Sequence, residues 1–251
     1  MVLIRAVLLD LDETLYDERG SVLGALQVAA AFAAERFPAV KRETLANVYL
    51  EEGNKRWEAF EEEIRVKGRG AQLDPLRVRE MCFAQALAAA GAPPSFAPEL
   101  TRYYGEQRKC RHSLFPEVKK VLEKLKRQAH LALVSNGSSG YQREKLRSTG
   151  VEGLFATVVI SEEAGYSKPQ KAIFERALRD VGVPACEAVM VGDNVEKDIA
   201  GAKLCGMRGV LVRRNGDRPR FHNGQVRPDA VIDSLNELAH AITALAGKRV
   251  G

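Results

Sequence analysis

Between residues 114 and 212, short apolar runs alternate with longer amphipathic stretches, and no other feature of the sequence restricts the fold as much. The runs at 131–134, 157–160, 188–191 and 209–212 lack polar alternation, as expected of strands buried on both faces. Between them, 117–127, 140–148, 170–181 and 196–204 carry apolar residues at helical spacing. Such alternation predicts a parallel sheet covered by helices on both faces. A similar run at 4–9, interrupted by Arg5, supplies the first strand, and a brief strand at 230–232 with a helix at 234–245 closes the pattern. The intervening sequence is different: 21–36, 41–65, 75–90 and 98–108 all read as helices separated by Pro- or Gly-containing breaks. The expected organisation is an α/β core of residues 1–15 and 112–251 with an all-helical insertion at 16–111.

Open α/β sheets bind ligands beyond the carboxyl ends of their strands, and in this chain those ends are polar. The first strand runs into Asp10-Leu11-Asp12-Glu13-Thr14, the second into Ser135-Asn136-Gly137, and the strand at 188–191 into Gly192-Asp193-Asn194, with Asp198 following. Lys168-Pro169 lies in the loop after the third. Each piece alone has an ordinary structural use as a turn former, helix cap or solvated lysine. Their placement at successive strand ends is what points to chemistry.

Carboxylates gathered on one rim repel one another unless a hard cation lies between them, and an all-oxygen donor set suits Mg²⁺. A cation there attracts a phosphate ester, whose other oxygens need donors from Lys168, Ser135 and the amides near Asn136. With the phosphate charge neutralised, Asp10 can attack phosphorus. Asp12, two residues on, is then the candidate acid and base for the leaving alkoxide and the incoming water.

At these residues the chain resembles the haloacid-dehalogenase-like superfamily. Its four motifs are matched in order by Asp10-Leu11-Asp12-Glu13-Thr14, by Ser135 in Val134-Ser135-Asn136-Gly137, by Lys168 in Tyr166-Ser167-Lys168-Pro169, and by Gly192 through Asp198. The resemblance implies a Rossmann-like core with a helical cap inserted between the first and second motifs. It implies Asp10 as nucleophile and metal ligand, Asp12 as acid/base and ligand through its main-chain carbonyl, and Asp193 as the third ligand. Ser135, Asn136 and Lys168 would hold the phosphoryl group, with Thr14, Asn194 and Asp198 in support. Family members that break carbon–halogen bonds lack the second aspartate, so Asp12 favours a phosphate monoester of a small metabolite. A sugar-phosphate mutase or a dehalogenase of the same superfamily remains the alternative. A phosphoacceptor module without turnover fits less well, because a helical insert of this length would be foreign to it.

Five more Lys and Arg (38) than Asp and Glu (33) would suit an anionic partner, but the charge is dispersed and poor in interleaved aromatics, which argues against nucleic acid. Cys82, Cys110, Cys186 and Cys205 are far apart and form no CxxC pair, so neither disulfides nor a zinc site is expected. The N-terminal apolar run does not read as a secretory signal, and no stretch approaches the ~20 residues of a membrane span. A cytoplasmic enzyme is expected. Tyr16, Asp17, Arg56, Trp57 and Lys67 are candidate leaving-group contacts, and the basic segment 213–227 is a candidate rim element; oligomeric state is not legible.

Overall fold

The computed structural model describes residues 3–67, 74–214 and 226–246. Strand β1 (Ala6–Leu9) is followed by helices α1 (Glu18–Arg36), α2 (Arg42–Lys67), α3 (Pro75–Ala90) and α4 (Ala97–Lys109). Then come α5 (Val118–Leu125), β2 (His130–Ser135), α6 (Ser139–Thr149), β3 (Thr157–Ile160), the single turn α7 (Ser161–Ala164), α8 (Lys171–Val181) and β4 (Ala188–Gly192). The chain closes with α9 (Gly201–Leu204), β5 (Arg208–Val212), β6 (Ala230–Ile232) and α10 (Leu238–Ala246).

The six strands form one parallel sheet in the order β3-β2-β1-β4-β5-β6. The chain therefore lays strands outward from β1 in one direction, returns to its other side with β4, and continues outward. A crevice opens at such a switch point, beyond the carboxyl ends of β1 and β4. Because successive strand residues face opposite ways, the sheet feeds two apolar layers. Val7, Leu9, Leu131, Leu133, Val189 and Val191 pack with α5 and α10 on one face. Ala6, Leu8, Ala132, Val134, Ala188 and Met190 pack with α8 on the other. The expected α/β class, with a parallel core covered on both faces, is what the chain adopts.

Two compact units result, one of residues 1–17 and 114–251 and one of residues 18–113. Tyr16 belongs with the sheet because it bridges to Asp12 and Leu114, so the division falls two residues further along the chain than the 16–111 insertion inferred from pattern. In the helical unit, small residues of α1 (Ala25, Ala29, Ala33) pack with Phe83, Leu87 and Leu100. Arg108 is buried there, donating to both carboxylate oxygens of Glu18, to Ser21 Oγ and to Tyr104 Oη. Among the described residues no helix is long and apolar enough to cross a membrane, and the four cysteines are free thiols.

Three local departures from the sequence expectation have visible causes. The helix expected at 196–204 opens as a π-helical segment, Val195–Ala200, before α9. Asp198 N and Ile199 N both donate to Asn194 O, at 3.0 and 3.3 Å, which widens the turn. The helix expected at 234–245 begins as a 3₁₀ turn closed by a capping box between Ser234 and Glu237. The turn α7 was not anticipated at all, being too short to show a periodic pattern.

Candidate active site

Asp10 follows β1 directly, and its N–H prolongs the ladder by donating to Val191 O at 2.9 Å. Its side chain is buried, and its carboxylate accepts from Lys168 Nζ. Lys168 Nζ also pairs with Asp198 Oδ1 at 2.7 Å. Asn136 fixes the lysine's backbone from both sides: its Oδ1 accepts from Lys168 N at 2.8 Å, and its Nδ2 donates to Lys168 O at 3.1 Å. The Asn136 side chain is thus engaged with the lysine loop.

Asp198 reaches this lysine because β4 ends in glycine. A Cβ on Gly192 would lie 2.2 Å from Asp198 Oδ2, an impossible contact. The same oxygen accepts from Asn194 N at 3.0 Å, while Asn194 Oδ1 caps the π segment through Glu196 N and Lys197 N. Carboxylate oxygens of Asp10, Asp193 and Asp198 all lie within 4.8 Å of one another.

That proximity governs protonation. Burial raises Asp10 to about 6 even though Lys168 pulls it down. Burial, reinforced by Asp10 and Asp198, raises Asp193 further, to about 8. Burial also works against the Lys168 ammonium, but Asp10 and Asp198 outweigh it and hold its pKa above the ordinary value. A carboxyl group held neutral at pH 7 by burial, with anionic neighbours adding to the effect, marks a place where positive charge is wanted.

Asp12 points elsewhere. Its Oδ1 accepts from Lys145 Nζ at 2.6 Å and its Oδ2 from Gln142 Nε2 at 2.9 Å. The loop carrying it is tight: Glu13 adopts φ 57°, and Leu15 N and Tyr16 N both donate to Leu11 O. Arg214 braces the loop by donating to Thr14 O and pairing with Glu117 at 2.5 Å, its guanidinium lying 3.9 Å over the Phe115 ring.

Of the residues singled out in the sequence, Asp10, Lys168, Asp193 and Asp198 form one cluster. Asp12, Ser135 and Asn136 share a second through Gln142, which also donates to Ser135 Oγ at 2.8 Å and Asn136 O at 2.9 Å. Thr14 contributes its carbonyl to the Arg214 brace, its own hydroxyl being buried without a hydrogen-bond partner, and Asn194 acts as a cap. Tyr16, a candidate leaving-group contact, is fully buried in the sheet unit instead. Arg56 pairs with Glu52 along α2 at 3.2 Å, and Trp57 is half-buried. Within 213–227, residues 215–225 lie outside the described residues. Gln142, Lys145 and Glu117 were not singled out, and Arg214 only as part of the segment 213–227. The available signal was the three-residue spacing of Gln142 and Lys145 on one face of the helix after Ser135.

The family model for haloacid dehalogenase-like hydrolases matches residues 4–206. Phosphoserine phosphatase of Thermus thermophilus is 41% identical over 161 residues, a match covering 64% of this chain and 63%, under two thirds, of that protein. Ribulose-1,5-bisphosphate 5-phosphatase of Halopiger xanaduensis is 30% identical over 246 residues, 95% of this chain and 99% of its own length. Among solved structures, the HAD-hydrolase YfnB of Bacillus subtilis, crystallised with magnesium, superimposes with a TM-score of 0.74 at 25% identity, covering 96% of this chain and 99% of that one.

Proposed function

The chain belongs to the haloacid dehalogenase-like hydrolase family, and from that membership we propose that it is a magnesium-dependent phosphohydrolase acting on a small phosphate monoester. The observation that carries the reading is the buried Asp10 carboxylate at the switch point of the sheet, flanked by Lys168, Asp193 and Asp198. The full-length match to a phosphatase of Halopiger xanaduensis supports the same class.

The donor set fits a hard divalent cation. Carboxylates of Asp10 and Asp193 with the main-chain carbonyl of Asp12 would hold it, the Asp12 side chain being engaged with Lys145 and Gln142. Such a cation supplies charge neutralisation for an anionic ester. Asp198, paired with Lys168, orients the lysine.

Asp10 Oδ attacks phosphorus as the ester P–O bond breaks, and Asp12, which enters this step protonated, passes that proton to the departing alkoxide and is left as the carboxylate that accepts from Lys145 and Gln142. Lys168, the Ser135 hydroxyl and the amides around Asn136 hold the phosphoryl oxygens through the transfer. A water then attacks the aspartyl phosphate and leaves its proton on Asp12, releasing inorganic phosphate and the Asp10 carboxylate. The helical unit, residues 18–113, corresponds to the cap domain that the family resemblance implies.

Phosphate release from p-nitrophenyl phosphate, with and without Mg²⁺, tests the reading. Asp10→Asn should lower kcat by more than about 10³-fold while the protein remains folded. Turnover that survives chelation would remove the metal from the scheme.

A further inference from the structure

Lys145 has an unusual setting for a lysine. Its side chain is 1% exposed, and its ammonium lies 4.9 Å from the centre of the Tyr16 ring and 4.4 Å from that of Tyr141, with Asp12 Oδ1 at 2.6 Å. Burial strips the Lys145 ammonium of water while the Asp12 side chain stays 32% exposed, and an ion pair with a buried member is a weak device for stability because apolar side chains of similar size often do as well. Such a pair does fix direction. Asp12 is two side-chain torsions from its backbone, and an acid that must meet a particular oxygen loses rate when those torsions wander.

Both oxygens of Asp12 are occupied, by different donors from one face of α6. Lys145 takes Oδ1 and Gln142 takes Oδ2. Gln142 is itself shared, since its amide nitrogen also lies within hydrogen-bond distance of Ser135 Oγ and Asn136 O, while its Oε1 is buried without a hydrogen-bond partner. The side chain proposed for proton transfer and two of the residues proposed to hold the phosphoryl group, Ser135 and Asn136, are therefore held by donors from one helix.

We infer that Lys145 is a positioning residue for Asp12, fixing with Gln142 the direction in which that carboxyl group exchanges its proton with the leaving group. The inference rests on the roles proposed above for Asp10 and Asp12. It assigns Lys145 no contact with substrate; its effect passes through Asp12.

The test compares two esters that differ in how much they need a proton donor. 2,4-Dinitrophenolate departs without help, whereas phenolate needs protonation, and kcat/KM reports on the phosphoryl-transfer step for both. Lys145→Met should lower kcat/KM for phenyl phosphate by roughly 30-fold, a part of the roughly 10²- to 10⁴-fold that a positioned general acid contributes, and for 2,4-dinitrophenyl phosphate by less than about threefold. In an Asp12→Asn background the same substitution should have no further effect on p-nitrophenyl phosphate, because the group it positions is gone. Lys145→Gln, which keeps a donor, carries the same comparison if the methionine variant melts below the assay temperature. Equal losses on the two esters, or an undiminished loss in the Asp12→Asn background, would overturn the positioning role and leave the proposed function standing. A wild-type protein inert toward every ester, or an Asp10→Asn protein of full activity, would instead remove the proposed function itself.

Discussion

The Asp193 carboxyl group, raised to about 8, holds a proton at neutral pH that an ordinary aspartate would have lost. In the metal-free protein the folded state binds this proton more tightly than the unfolded chain does. Its contribution to stability is therefore complete below the ordinary aspartate range and disappears as pH rises through about 8, with Asp10 losing its part earlier, through about 6. Mg²⁺ would replace the proton. In EDTA the melting temperature should fall between about pH 5 and pH 9, and added Mg²⁺ should raise it most at the alkaline end. A melting temperature equally insensitive to Mg²⁺ at both ends would contradict the cation assignment. Gly192 offers a second check, since Gly192→Ala drives a methyl group into the Asp198 carboxylate. The variant should fold with a loss of at least about 1 kcal/mol, by analogy with overpacked cores, and lose activity through displaced Lys168.

Elements decide which of these side chains meet. β1 is four residues long and fully buried, so its register against β2 and β4 leaves Asp10 no freedom along the sheet. Leu8→Ala in that strand should cost about 3 to 5 kcal/mol in denaturant unfolding, the range for a leucine removed from a closed core. Asp198, in the π-helical start after β4, lies directly over Gly192. In the helical unit, Arg108 ties the first turn of α1 to α4 through Glu18 and Ser21. Arg108→Met should destabilise that unit by about 3 kcal/mol, the low end for breaking a buried pair, because Glu18 is 26% exposed and keeps some water.

At the scale of the whole molecule, the two units have separate apolar interiors, one built on the sheet and one on α1 to α4. Calorimetry should resolve two transitions rather than one. Only the transition of the sheet unit should move with Mg²⁺, by about 2.7 kcal/mol of stabilisation at a hundredfold excess over Kd. A single transition, or an equal shift of both, would show that the units unfold together.

The alternation of apolar runs and amphipathic stretches was sufficient to place the parallel core and the helical insertion, because an uninterrupted apolar run and a 3.6-residue period are local properties of a chain. Asp10, Ser135 and Asp193 stood out for the same reason, each following a run whose end is visible, and Lys168 through its place in the loop after the third run. What lies across the sheet was not. Nothing near Asp12 in the sequence announces that Lys145, 133 positions later, will hold it, or that Arg214 will brace Thr14 from 200 positions away. The raised pKa values of Asp10 and Asp193 are equally invisible, since burial and the approach of like charges exist only after folding. Residue order therefore determined which groups stand at the crevice, and tertiary structure decided their partners and their charge, because electrostatics depends on distance in space and a sequence states only distance along the chain.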